Sequence, residues 1–200
     1  MIKGLQIAPN SCDENSDIRP FIKDAIHQVK QSGNSRYLSV TIETGYSDPL
    51  AVLEENHVEN QVVCYLERPS QEFSIACGEF LVQAEFEGKE RFEKARCWSK
   101  KILDQTLVTG DSTLPGTGPT MFLAANFEST TTCSATPPPL QVFLPRWQII
   151  RKGGFHYLII NLQVTPSSSP ADLLSDLTKR INKTKGMRAH AGHPAGMKKF

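Results

Sequence analysis

The sequence predicts an α+β fold, in which helices pack on one face of a mainly antiparallel sheet. Two apolar runs rich in β-branched residues, 141–151 and 155–165, are joined by Lys152-Gly153-Gly154, which is typical of a β-hairpin. Residues 89–108 place apolar side chains at three- and four-residue intervals, the pattern of a helix with one buried face. Most predicted strands follow one another through hairpin-like turns, which favours antiparallel pairing.

The first half of the chain alternates helices and strands. Residues 18–30 predict a helix with Pro20 in its first turn, and residues 37–44 alternate polar and β-branched side chains as a strand with one buried face does. Asp48 is a natural N-cap for a short helix that begins at Pro49. We therefore expect strand, loop and short helix in that order.

A second hairpin is predicted from residues 61–67 and 72–85, because Pro69 and Ser70 favour a turn between them. Gly78 interrupts the second run. Since glycine weakens a strand interior, it indicates a β-bulge or a close backbone approach at that position.

The second half predicts one more strand and a terminal helix. Residues 120–127 form an almost continuously apolar run, which favours a buried strand. Residues 167–170 are Ser-Ser-Ser-Pro and predict the start of a helix near Ala171. The chain therefore divides into a polar N-terminal segment with one helix (1–35), an α+β domain (36–184) and a basic tail (185–200) that is expected to be disordered.

Composition and sequence argue against a membrane-spanning or secreted protein. The chain has 39% hydrophobic and 22% charged residues, lacks the roughly 18 consecutive apolar residues of a membrane span and begins without an apolar signal segment. Its five cysteines are widely spaced and form no CxxC pair, so they are interpreted as reduced thiols. We expect a cytoplasmic protein with no membrane partner.

Charge is distributed unevenly along the chain. Residues 179–200 contain seven Lys or Arg and no acid, whereas residues 1–178 carry fifteen basic and twenty-one acidic residues, a net charge of −6. The body of the protein would repel a polyanion, so nucleic-acid binding would depend on the tail alone. That function is the least favoured.

Few titratable residues stand out as catalytic candidates. Asp17, Asp24, Glu54 and Glu55 lie in charged surroundings typical of a solvated surface. Glu79 is the acid of greatest interest, because it follows Gly78 inside an apolar β-run and is therefore either outward-facing or functional. The outward-facing interpretation is favoured.

Histidine, cysteine and glycine patterns favour structural roles. His190 and His193 are the only close histidine pair and make a poor metal site, and His156 is interpreted as a satisfied strand residue. Cys77 and Cys97 are expected to be buried thiols rather than nucleophiles. Residues 115–119, Pro-Gly-Thr-Gly-Pro, lack the lysine and the helix of a phosphate loop and are interpreted as a structural turn.

Several segments, in order, resemble the N-terminal half of isochorismate synthases, enzymes of menaquinone and phylloquinone synthesis. The segments are DPLAVL (48–53), VCYLERP (63–69), IACGE (75–79), GPTMFLAANF (118–127) and LPR (144–146) with its Gly153-Gly154 hairpin. The resemblance covers residues 36–182. It implies one half of the two-layer chorismate-utilising fold and, for a full-length enzyme, Mg²⁺-dependent conversion of chorismate to isochorismate.

In the family that this sequence resembles, the catalytic lysine, the catalytic glutamate and the Mg²⁺ ligands lie in the C-terminal half. No catalytic, cofactor-binding or metal-binding residue is therefore assigned in this chain, which is expected to be inactive alone and to need a complementary C-terminal half. Without that half, one apolar sheet face is expected to be exposed. The alternative is a non-catalytic binding or scaffolding module, and the product could also be that of a related chorismate enzyme.

Overall fold

The computed structural model describes residues 18–56, 61–109, 114, 116–130 and 137–185. In this part of the chain there are four α-helices: α1 (Ile18–Ser32), α2 (Pro49–Asn56), α3 (Arg91–Asp104) and α4 (Pro170–Lys185). There are seven strands: β1 (Arg36–Glu43), β2 (Val63–Arg68), β3 (Phe73–Phe86), β4 (Thr106–Thr109), β5 (Phe122–Ala125), β6 (Leu140–Lys152) and β7 (Phe155–Val164). None of these helices is long and apolar enough to cross a bilayer.

The seven strands form one sheet in the order β2-β3-β6-β7-β1-β4, and β5 pairs with the N-terminal end of β6. Every strand pair is antiparallel except β1 with β4. The predicted α+β class with a mainly antiparallel sheet is confirmed.

Helices α1 and α4 pack side by side on one face of the sheet. Ile22 and Val29 of α1 and Leu177 of α4 share a buried cluster with the inner residues of β1 and β7. Full burial of one such aliphatic side chain contributes about 1.5–3 kcal/mol. This cluster fixes α4 against the sheet and so determines where its polar face lies.

The opposite face of the sheet is also covered. Tyr37 packs with Ile102 of α3 and with Leu144, whereas its neighbour Leu38 belongs to the α1–α4 cluster, and successive strand residues point to opposite faces. Six consecutive residues of β1, 37–42, are at most 9% exposed. The expectation of an exposed apolar sheet face is therefore wrong for the central strands. Helix α3 also departs from the prediction that the helices lie on one face of the sheet.

Local sequence signals place the predicted hairpins and helix starts correctly. β2 and β3 pair through the short 3₁₀ helix Pro69–Gln71, and β6 and β7 pair through Gly153 and Gly154, both with positive φ. The Asp48 side chain accepts a hydrogen bond from the amide of Leu50. At the start of α4 the Ser169 hydroxyl oxygen accepts one from the amide of Asp172.

Two predicted elements differ from the structure. The helix predicted over 89–108 ends at Asp104, because the β-branched Thr106–Thr109 segment pairs with β1 as β4 instead. The apolar spacing of Leu103 and Leu107 continues the helical period past the true end. The strand predicted over 120–127 is short and largely exposed, since β5 pairs with β6 along one edge only and Leu123 is 51% exposed.

Gly78 lies at a close approach of another residue to the backbone and next to a β-bulge, as predicted from a glycine inside an apolar β-strand sequence. It faces Trp147 across the β3–β6 ladder, and a Cβ built on Gly78 would lie 2.6 Å from Trp147 Cζ2. The register then shifts between Phe80 and Val82. On the same face, Trp147 packs with Val52 of α2, so this contact holds α2 to the sheet as well.

We expect Gly78→Ala to lower the free energy of unfolding by about 1–3 kcal/mol, because the indole of Trp147 occupies the space of the new methyl group. Urea unfolding monitored by tryptophan fluorescence measures this loss. Gly78→Ala combined with Trp147→Leu should cost less than the sum of the two single changes. Simple additivity would contradict the contact.

Candidate functional site

Glu79 lies at the distortion in β3, with a φ of 58°. This left-handed backbone conformation is unfavourable for a residue with a side chain and is often found at functional positions. The Glu79 amide donates a hydrogen bond to the carbonyl of Val62 at 3.2 Å. The Glu79 carboxylate accepts one from Arg180 Nη1 of α4, also at 3.2 Å.

Arg180 is held by two carboxylates. Its Nε donates to Asp176 Oδ1 at 3.0 Å, one helical turn earlier in α4, while Nη1 contacts Glu79. The side chains of Arg180 and Glu79 are only 20% and 24% exposed. Because water is partly excluded, this pair is less screened than a surface ion pair. It ties the bulge of β3 to the last helix.

Two shallow depressions, both open to solvent, lie along α4. One, of about 230 Å³, is lined by the Glu79–Arg180–Asp176 cluster together with Lys179 and Lys183. The other, of about 380 Å³, shares Lys179 and is lined by Arg19 of α1, by the apolar Ala171 and Leu174, and by the polar Ser175, Thr178 and Asn182. We name these two depressions together the α4 groove.

The cations of the α4 groove are not equivalent. Arg180 is engaged by carboxylates, whereas Lys179, Lys183 and Arg19 have no ion pair within the part of the chain that the structure describes. Lys179 and Lys183 stand four residues apart on α4, which places their Cβ atoms about 5–6 Å from each other. Their flexible stems allow two ammonium groups to contact one small ligand.

Chemically, the α4 groove is suited to a small anion that also carries hydroxyl groups. Ammonium and guanidinium groups form charge-assisted hydrogen bonds to carboxylates, which are stronger than neutral ones. Ser175, Thr178 and Asn182 can donate to or accept from a hydroxyl. The described residues contain no group of three or more His, Cys, Asp or Glu that could hold a metal ion.

The other acids considered from sequence lie on the surface where the structure describes them. Asp24 accepts a hydrogen bond from Gln28 within α1, and Glu54 and Glu55 are exposed on α2. Asp17 lies outside the described residues. Of the four acids that the structure describes, Glu79 alone joins other charged groups in a surface depression, which favours the functional interpretation of Glu79 over the outward-facing one.

His156 is a satisfied strand residue, as predicted. It is 8% exposed, and its Nδ1 lies 3.0 Å from the carbonyl oxygen and 3.3 Å from the amide nitrogen of Ser47. His190 and His193 lie outside the described residues. That this histidine pair makes a poor metal site therefore stays a sequence-based prediction.

The glycine-rich turn serves a structural purpose in its described part. The Gly118 amide donates to Thr41 Oγ1 at 3.1 Å, and the Gly118 carbonyl accepts from Gln148 Nε2 at 2.8 Å. This segment is thereby fixed to the centre of the sheet. Pro115 itself lies outside the described residues.

Of the two cysteines predicted to be buried, one is buried and the other is exposed. Cys64, Cys77 and Cys97 are free thiols, and Cys77 is fully buried as expected. Cys97 is exposed, with its sulfur 3.5 Å from Glu93 Oε1, so its predicted burial is wrong. It lies on the solvent side of α3, because the buried stripe of that helix contains Ala95 and Ile102 instead.

The lysines of the α4 groove were not singled out individually by sequence reasoning. The available signal was the cluster of basic residues from position 179 onward, but it was attributed to attraction of a polyanion. The structure places Lys179, Arg180 and Lys183 on α4 beside Glu79, which lies about a hundred residues earlier.

A family model described as chorismate binding enzyme matches residues 24–199. The chain belongs to this family. The predicted kinship with chorismate-utilising enzymes is thereby confirmed, and the match extends over the sheet and all of α4. A search of curated proteins finds no match to the chain.

In this member of the family, backbone strain at Glu79 can be separated from loss of its ion pair. Glu79→Ala and Glu79→Gly both remove the carboxylate, but only glycine adopts a φ of 58° without penalty. We expect Glu79→Gly to be about 1 kcal/mol more stable than Glu79→Ala in urea unfolding. Equal stability of the two variants, or a more stable alanine variant, would contradict a strained backbone at Glu79.

Proposed function

We propose that this chain is the chorismate-binding portion of an isochorismate synthase-like enzyme and that it does not convert chorismate on its own. Membership of the chorismate binding enzyme family supports the substrate class. The product, isochorismate, rests on the resemblance of segments such as DPLAVL and LPR to isochorismate synthases.

The observation that carries the proposal is the placement, around the α4 groove, of cations that have no ion pair among the described residues. Chorismate has two carboxylates and a ring hydroxyl, so it needs two cationic contacts and a polar one. Lys179 and Lys183 supply the first two, and Asn182 or Thr178 supplies the third. Glu79, held by Arg180, gives the groove an anionic side that orients the dianion away from it.

Two acids of the α4 groove, Glu79 and Asp176, are already engaged by the guanidinium of Arg180. Under this proposal the Mg²⁺ ligands and the groups that activate water and protonate the leaving hydroxyl belong to a complementary half.

We expect Lys179→Ala combined with Lys183→Ala to weaken chorismate binding about tenfold or more, since a hydrogen bond to a charged group contributes about 1.5–3 kcal/mol. Isothermal titration calorimetry of the full chain measures the affinity, which should also fall as salt concentration rises. Lys100→Ala is the matched control, because it removes one surface lysine of α3 that pairs with Asp104. Equal weakening by the control, or no binding by the unmodified chain, would refute the proposed site.

Turnover is tested separately from binding. The purified chain with chorismate and Mg²⁺ should release no isochorismate in a chromatographic assay, and activity should arise when the C-terminal half of a related enzyme is added. Isochorismate formation by the chain alone would show that its catalytic groups lie in this sequence.

The alternative is a non-catalytic docking module, and one observation favours it. Phe127 is fully exposed and Leu123 is 51% exposed. Arg91 of α3 donates hydrogen bonds to the carbonyl oxygens of Asn126 and Phe127. The residue after Arg91, Phe92, is 50% exposed and therefore lies in the same region. Exposed aromatic side chains are enriched at protein interfaces. A folded chain that binds no chorismate and gains no activity on complementation would favour this function.

A further inference from the structure

Two cysteines face each other across the edge of the sheet. Cys64 of β2 and Cys77 of β3 are direct partners in the antiparallel register. Facing residues in such a ladder have Cα atoms about 4.5–5.5 Å apart, which lies inside the range of about 4.4–6.8 Å that a disulfide spans. No movement of the strands past each other is needed to join these two sulfur atoms.

The two thiols already interact and differ in accessibility. Cys77 is fully buried, and Cys64 is partly exposed on the edge strand. A hydrogen bond from the Cys77 thiol lowers the pKa of Cys64 to about 7, and the same contact, with burial, raises the pKa of Cys77 above its usual range. Cys64 is therefore the accessible thiolate and Cys77 the protected partner.

We propose that Cys64 and Cys77 form a redox-active dithiol, which small disulfides such as glutathione disulfide convert to an intramolecular disulfide between β2 and β3. This redox proposal is independent of the α4 groove and of the chorismate proposal, because neither cysteine lines that groove.

The reaction proceeds by two thiol–disulfide exchanges. The Cys64 thiolate attacks one sulfur of glutathione disulfide, the S–S bond breaks, and one glutathione thiolate leaves. Cys77 then gives up its proton, attacks the Cys64 sulfur of the mixed disulfide as a thiolate and expels the second glutathione thiolate. The two cysteines lose two electrons, glutathione disulfide gains them, and both cysteine protons end on the released glutathione thiols.

Oxidation would link the edge strand β2 covalently to β3. Among the described strands, β2 has a neighbour on one side only, which is β3. A covalent bond from Cys64 to the fully buried Cys77 prevents β2 from separating from β3. Hydrogen exchange of the β2 amides should therefore slow on oxidation.

The test equilibrates the full chain with graded ratios of reduced to oxidised glutathione, followed by acid quenching, alkylation and digestion with a protease that cleaves after glutamate. Cleavage at Glu67 and Glu72 separates Cys64 from Cys77, whereas trypsin is hindered at Arg68 by Pro69. We expect a linked peptide pair that contains both cysteines, is two hydrogen atoms lighter than the sum of its parts and separates on reduction.

Two variants provide the controls. Cys97→Ser removes the exposed thiol of α3 and should leave the linked pair unchanged. Cys64→Ser changes only a partly exposed side chain; it should abolish the link and leave the buried Cys77 unmodified in the folded protein. The proposal is overturned if Cys64 stops at the mixed disulfide with glutathione, if Cys64 and Cys77 stay reduced throughout, or if either links to Cys12, Cys97 or Cys133 instead.

Discussion

The contact of Trp147 with Gly78 is the constraint on which the neighbouring features depend. Across the β3–β6 ladder the indole occupies the space that any side chain at position 78 would need. The residue before Gly78, Cys77, pairs with Cys64 on the edge strand, and the residue after it, Glu79, binds Arg180 of α4. Three consecutive residues of one strand thus set the sheet edge, the position of α2 and the ion pair that ties α4 to the sheet.

Helix α4 connects the fold with the proposed chemistry. Its apolar stripe packs on β1 and β7, so its polar face lies along the α4 groove with Lys179 and Lys183. Arg180, which lies on the same helix, is paired with both Glu79 and Asp176. The groove consequently holds one cation that is paired with carboxylates and others that have no ion pair among the described residues, and under the proposed function a dicarboxylate such as chorismate would bind the second kind.

Local signals in the sequence were sufficient for much of the fold. Gly153-Gly154 predicted the β6–β7 hairpin, Asp48 and Ser169 predicted helix starts, and Gly78 predicted the bulge, because each depends on a few neighbouring residues. β4 was missed because Leu107 continues a helical period, and pairing with the distant β1 outweighs that local preference.

The candidate site depends on contacts that no local pattern encodes. The Glu79–Arg180 pair spans 101 residues, and the Cys64–Cys77 pair requires the register of β2 on β3. The expected exposed sheet face was also wrong, since α3 covers part of it at Tyr37 and Leu144, and Leu114 and Phe122 pack with Ile150 and Ile159 on another part. Order of motifs was enough to indicate the chorismate binding enzyme family, whereas the groove could be found only in three dimensions.

The most direct test of the account is an amide chemical-shift titration of the isotope-labelled full chain with chorismate. The account predicts shifts that saturate together and are concentrated at Glu79, at residues 179–183 of α4 and at Arg19, the lining of the α4 groove. Saturating shifts confined to another part of the sheet, or no shifts at all, would contradict the assignment of the chorismate site to this groove.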